Sequence, residues 1–269
     1  MGVKPRPNPV HILSLGGGVQ STTIALMASV GEITPLPTLA VFADTGSESE
    51  ATYRHLSDLS GKLAFPLQIL QVGNLAADSV QLRPSRVPGQ FFVNSLIPAF
   101  FKNGTKRMMQ NRRCTSNYKI RPIRKAVRPY FASGVVQWIG ISTDEAQRMK
   151  DSDVGYIVNR YPLIELGMSR TDCKQWLVDH GHNVPPKSSC VFCPFHNDAF
   201  WQSMKDEQPA EFQRAVQYER ELQQAHSRAH GTERMPYLHD SFQPLDKVTF
   251  SPVHRPDGFG NECSGHCGV

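Results

Sequence analysis

Three consecutive glycines, Gly16-Gly17-Gly18, stand between a short apolar run and a helix-forming stretch. The run before them, V-H-I-L-S-L at residues 10–15, is β-rich; the stretch from Ser21, S-T-T-I-A-L-M-A-S-V, is helical and closed by Gly31. A strand that turns through glycine into a helix is strongly constrained, because the helix must lie on one face of a sheet and return the chain to that sheet. The return strand is T-L-A-V-F-A at 38–43, followed by Asp44-Thr45-Gly46 and a polar helix over 48–59. Residues 66–72, 135–141 and 157–163 read as three further strands, with a helix over 117–131. Short buried strands alternating with helices predict an α/β fold, a doubly wound and mostly parallel five-stranded sheet covered on both faces.

With 269 residues the chain has room for one large domain with an appendage. We expect an α/β unit over 1–185, carrying an insertion at about 73–116, and a second part over 186–269. The stretch 73–113 is irregular, broken by Pro84, Pro88 and Pro98; so long a loop in a compact domain is usually functional. Ser169 with Asp172 predicts a capped helix that runs to His180 and stops at Gly181. A Pro-Pro turn then leads into Cys190-Val191-Phe192-Cys193, and Pro209 opens a long helix over 210–229, so the C-terminal part is helical and carries cysteines.

Charge is unevenly placed. Between Asp78 and Asp144 there are twelve Lys or Arg and no acidic residue, against 17 basic and 24 acidic residues elsewhere. Such a segment should face an anion, whether nucleotide, sulfate or nucleic-acid backbone; the alternative is a solvated Arg-rich face. No run reaches the ~18–20 apolar residues a membrane helix needs, and the N-terminus lacks a signal-type apolar core. We therefore expect a cytoplasmic chain whose six cysteines (114, 173, 190, 193, 263, 267) bind metal or do chemistry rather than form disulfides.

Glycines let backbone approach a phosphate closely, and the helix that follows supplies free N–H groups and a positive dipole end. The loop has neither the Gly-Lys-Ser/Thr of a Walker P-loop nor dinucleotide-fingerprint spacing. S-x-G-G-G-V-Q-S, with F-A-D-T-G-S-E-x-E-A-T-Y after the second strand, resembles the phosphoadenosine phosphosulfate (PAPS) reductase family of the PP-loop, or adenine nucleotide α-hydrolase-like, superfamily. R-C-T-S-N-Y-K-I-R-P-I from Arg113 and P-K-S-S-C-V-F-C-P from Pro186 agree, and the four blocks keep family order from about residue 11 to 200.

The resemblance implies a HUP-like fold and a set of site residues. Ser14, Gly16, Gly17, Gly18, Gln20 and Ser21 should hold the phosphates of an adenine nucleotide (ATP, PAPS or adenylyl sulfate) or released pyrophosphate. Phe42, Ala43, Asp44 and Thr45 should lie by adenine and ribose, Asp44 alternatively holding Mg²⁺ if ATP is used. Cys114, Cys190 and Cys193 should ligate a metal, a 4Fe–4S cluster with zinc as rival; the family's first block pairs two cysteines where this chain has Arg113 and Cys114. The fourth position falls to Cys263, Cys267, His196 or an open site. Cys263, in E-C-S-G-H-C near the C-terminus, also matches the family's thiolate nucleophile, with His266 beside it. Arg113, Lys119 and Arg121 are candidates for gripping the anion, and Glu145 with Arg148 for a substrate loop after the fourth strand; Asp44, Lys119 and Arg148 join Cys263 as the candidate catalytic residues. Tyr118, Phe91 and Phe92 would stack bases if that anion were nucleic acid.

Three functions stay open. One is ATP-dependent sulfur transfer by adenylylation to an anionic acceptor, nucleic acid included, with a cysteine-desulfurase partner. The second is sulfonucleotide reduction to sulfite through Cys263 with a thioredoxin-like partner. The third is a non-catalytic nucleic-acid-binding zinc protein. A homodimer is compatible with each.

Overall fold

A computed structural model describes residues 7–231 and 234–251. In chain order the first half runs β1 (Val10–Ser14), α1 (Val19–Ser29), β2 (Leu39–Asp44), α2 (Glu50–Ser60), β3 (Leu67–Gln71) and α3 (Leu75–Val80). Two short hairpins follow, β4 (Leu82–Pro84) with β5 (Phe91–Val93) and β6 (Phe100–Asn103) with β7 (Lys106–Met109). A π-helical turn, Thr115–Ile120, continues into α4 (Arg121–Val127); then come β8 (Val135–Ile139), β9 (Ile157–Arg160), α5 (Pro162–Glu165), α6 (Arg170–Asp179), α7 (Asp198–Glu207) and α8 (Pro209–His230).

The main sheet has the order β3-β2-β1-β8-β9 and every pair in it is parallel. Successive strand side chains point to opposite faces, and the apolar residues divide accordingly. Leu13, Ala40, Phe42, Val136 and Trp138 face α1, α2 and α6, where Ile24, Leu56, Leu59, Cys173 and Leu177 complete one core. Ile12, Val41, Ala43, Val135 and Ile157 face the other way, onto Ile123 and Val127 of α4. The sheet is thus doubly wound, as the sequence leads one to expect. α1 lies so deep that residues 19–28 are all buried; its threonines find partners, Thr23 Oγ1 donating to the Val19 carbonyl at 2.9 Å and Thr22 Oγ1 pairing with His55 of α2 at 2.9 Å.

A third core unites the insertion with the C-terminal part, where Leu75, Leu96, Ile97 and Tyr118 pack with Phe192, Trp201, Phe212 and Tyr218. Where sequence reads one irregular loop, the chain forms α3 and the two hairpins. Their strands are three or four residues long, too short for a periodic signal, and Pro84 sits at a strand end where its missing N–H is harmless. The fifth strand stops at Arg160 because Pro162 opens α5. α7 is an element the sequence reading did not include, although Asn197 caps it through the Phe200 N–H at 2.8 Å. No helix among the described residues is long and apolar enough to cross a membrane.

Candidate nucleotide site

The strand order reverses direction at β1, with β2 on one side and β8 on the other. In open parallel sheets that point, at the carboxyl ends of the strands, is where ligands bind. The glycine loop leaves β1 there. Gly17 adopts φ +75°, and a Cβ on it would lie 3.2 Å from Ser188 Oγ and 3.3 Å from Phe42 Cε2. Gly140, just after β8, lies so close to α1 that a Cβ would fall 2.9 Å from the Ser21 backbone nitrogen. Gly140→Ala should therefore cost about 1–3 kcal/mol by forcing β8 from α1; urea unfolding at unchanged stability would mean that the two can part freely.

The N-terminus of α1 is bare. Gly18 makes no side-chain cap bond and the first turn has no acidic residue. By contrast α2, α3, α6 and α7 are closed by Ser49, Asn74, Ser169 and Asn197. Ser21 turns its hydroxyl inward, accepting from Gly16 N–H at 3.1 Å and reaching the Gly18 carbonyl at 3.3 Å. An uncapped helix start leaves N–H donors and a positive dipole end for an anion.

Polar side chains surround this start. Ser14 Oγ accepts from Gln137 Nε2 at 2.6 Å, and Gln137 is wholly buried with Oε1 lacking a partner. Gln20 Nε2 donates to Glu145 Oε2 at 3.0 Å and reaches Ser142 Oγ at 3.3 Å. Glu145 is in turn ion-paired with Arg148, whose Nε and Nη2 are buried without a hydrogen-bond acceptor. The structure thus joins Gln20, Glu145 and Arg148 into one chain at the start of α1. Asp44 Oδ1 accepts from Gly46 N–H at 2.7 Å and from the Tyr53 hydroxyl at 2.9 Å. Burial first, and this carboxylate second, raise the Tyr53 pKa, so the phenol stays a donor. Phe42 and Ala43 are buried in opposite cores, Phe42 beneath Gly17.

The expected cationic grip is rearranged. Lys119 is buried, its Nζ 3.6 Å from Oε1 of the fully buried Glu48, so it neutralises an internal carboxylate instead of facing solvent. Arg113 and Arg121 are exposed. Other basic residues of the segment meet partners from elsewhere in the chain: Arg124 pairs with Asp153, and Lys102 and Arg107 lie 5.1 and 4.9 Å from the centre of the Phe242 ring. Tyr118 cannot stack a base, since it is buried and donates to Asp78 Oδ2 at 2.6 Å; Phe91 and Phe92 are exposed.

Cys114 and Cys190 pack against the third core, and Cys193 N–H donates to the Cys190 carbonyl at 3.0 Å. Cys190 Sγ lies 3.1 Å from Thr45 Oγ1, and burial raises its thiol pKa well above the ordinary range. His196 is buried, its pKa lowered to about 3 mainly by desolvation, and its Nε2 is 3.0 Å from the Cys190 carbonyl. Among the described residues no three His, Cys, Asp or Glu side chains gather as a metal-holding group. As placed, Cys114, Cys190, Cys193 and His196 do not form such a group. Cys263, His266 and Cys267 lie outside the described residues. Cys173 is a buried core residue.

Two polar residues of the site escape the sequence reading. Gln137 carries a local signal, a lone amide in the strand V-V-Q-W-I, which must find a partner if buried. Ser188 lies in the P-K-S-S-C block but nothing in the sequence places it beside the glycine loop; only the fold brings it to Gly17.

The sheet order, with the glycine loop at its reversal point, defines the architecture. The chain has an α/β fold built on a five-stranded, all-parallel sheet. No family model and no curated protein matches it. Among solved structures it is similar to phosphoadenylyl-sulfate (PAPS) reductase from Candida auris in its phosphate complex, at 16% identity and a TM-score of 0.41, covering 66% of this chain and 75% of that one. It is also similar to the U34-tRNA thiolase NcsA from Methanococcus maripaludis with its 4Fe–4S cluster, at 12% identity and a TM-score of 0.38, covering 81% and 72%.

Proposed function

We propose that this chain is a PP-loop enzyme that binds an adenine nucleotide at the glycine loop and uses it in sulfur chemistry on an anionic substrate. The observation that carries the reading is the uncapped start of α1 at the sheet's reversal point; α4, α5 and α8 also lack a side-chain cap but have proline at their first or second position, whereas α1 presents its N–H groups where an anion can complete them. With ATP and Mg²⁺, phosphates would rest on the backbone of Gly16, Gly17 and Gly18, with Ser14 as a further donor. Arg148 would offer the N–H groups of its two partnerless nitrogens, Nε and Nη2, to developing negative charge. An acceptor oxygen of the substrate attacks the α-phosphorus, pyrophosphate leaves, and a sulfur nucleophile then displaces AMP. The exposed Arg113 and Arg121 are proposed to draw in the anionic acceptor.

The test is turnover by the full chain, purified without oxygen, with ATP and Mg²⁺, with and without nucleic acid and a cysteine-desulfurase sulfur source. AMP and pyrophosphate are expected. Sulfite from a sulfonucleotide with thioredoxin, and no ATP turnover, would instead establish reduction through Cys263. Neither product would overturn the enzymatic reading.

A further inference from the structure

We infer that Ser188 is a phosphate ligand contributed by the cysteine-bearing segment, so that a nucleotide bound at the glycine loop also fixes the backbone carrying Cys190 and Cys193. The inference rests on the nucleotide-site reading above and adds to it a coupling between phosphate and thiols. Ser188 Oγ stands 3.2 Å from the Cβ position of Gly17, is shielded from solvent and has no hydrogen-bond partner. A buried hydroxyl without a partner is costly and calls for a reason.

A second hydroxyl, that of Ser14, is positioned by a buried amide. Gln137, fully buried, donates its amide N–H to Ser14 Oγ at 2.6 Å and leaves its own Oε1 without a partner. That bond occupies a lone pair of Ser14 and leaves its hydroxyl proton to donate. Ser14 at the end of β1 and Ser188 beside Gly17 thus add two hydroxyls to the loop that leads into α1. Hydroxyls plus helix-start N–H groups are the donor set a phosphate oxygen takes.

The segment after Ser188 is held across the end of β2. Cys190 pairs with Glu48 as an antiparallel bridge, Val191 N–H donates to the Ser47 carbonyl at 2.9 Å, and Cys190 Sγ lies 3.1 Å from Thr45 Oγ1. With the chain tied on one side to β2 and on the other, through Ser188, to the phosphate, ligand binding restrains the two thiols between them. The recognised chemistry is a phosphate oxygen, whether of the nucleotide or of free pyrophosphate.

The test compares full-length wild type with Ser188→Ala. It uses calorimetric titration with ATP·Mg²⁺ and, separately, pyrophosphate·Mg²⁺, together with hydrogen exchange of the amides of residues 189–195. For wild type, ligand should slow exchange across these residues; protection by both probes assigns Ser188 to the pyrophosphate moiety, by ATP alone to the α-phosphate. For Ser188→Ala, the Kd for ATP should rise about tenfold or more, as for loss of a hydrogen bond to a charged group. Saturating ATP should then no longer protect residues 189–195, while Tm stays equal to wild type or rises, because a partnerless hydroxyl has been removed. Wild-type binding with unchanged affinity and protection in Ser188→Ala would overturn the inference and leave the nucleotide reading intact. A lowered Tm in the variant would assign Ser188 a structural role and equally overturn it. Wild type that binds neither probe would remove the nucleotide reading, and this inference with it.

Discussion

Lys119→Met will destabilise the fold by about 3–5 kcal/mol, the usual result of stranding one member of a buried ion pair. Glu48 is fully buried and its Oε1 lies 3.6 Å from Lys119 Nζ, itself under 10% exposed. The pair joins the π-helical turn of the basic segment to the segment after β2, next to the bridge between Glu48 and Cys190. For a chain of this size the loss corresponds to a fall in Tm of roughly 6–20 °C. Adding Glu48→Gln to Lys119→Met should recover most of it, since the stranded charge is gone. A single variant as stable as the parent, or a double variant no better than the single, would show that the pair does not hold this junction.

Gly17→Ala should reduce nucleotide affinity by about 100-fold while far-UV circular dichroism stays native. Alanine at φ +75° is strained by about 1–2 kcal/mol. Its Cβ also needs Ser188 Oγ and Phe42 Cε2 to retreat from 3.2 and 3.3 Å. Phe42 is 1% exposed in a close-packed core, so the loop yields instead and its N–H groups leave the anion, a loss of about 3 kcal/mol in hydrogen bonds to a charged group, or about that 100-fold. Gly18 gives the contrast, because a Cβ there meets nothing within 4 Å and its φ is −98°. Gly18→Ala should leave Tm unchanged where Gly17→Ala lowers it. Equal Tm for the two would refute the steric argument.

Much of the architecture is legible along the chain. The five strands, the glycine turn into α1 and the capping box of Ser169 with Asp172 are read from neighbours within a few residues. Their causes are local: β-branched apolar runs, the freedom of glycine and the reach of a short polar side chain. The two hairpins of the insertion escape because their strands are too short to show a period. Lys119 illustrates a different limit. In the sequence it belongs to a run of cations that reads as one anion-facing surface, yet folding sends it inward to Glu48, 71 positions away. The spacing of Cys190 and Cys193 suggests a metal shell, but whether thiols converge depends on three backbone segments at once, and among the described residues they do not gather.

The sequence by itself determined that a glycine loop sits between a buried strand and a helix, within a parallel α/β sheet, with cations concentrated in one segment. Only the tertiary structure decided that α1 begins uncapped at the reversal of strand order, that Lys119 is an internal countercharge, and that Ser188 reaches Gly17. Backbone preferences act between near neighbours and are written in order along the chain. Burial, ion pairing and the meeting of distant hydroxyls depend on which segments the two-faced sheet packs together, and that is fixed only once the cores have formed.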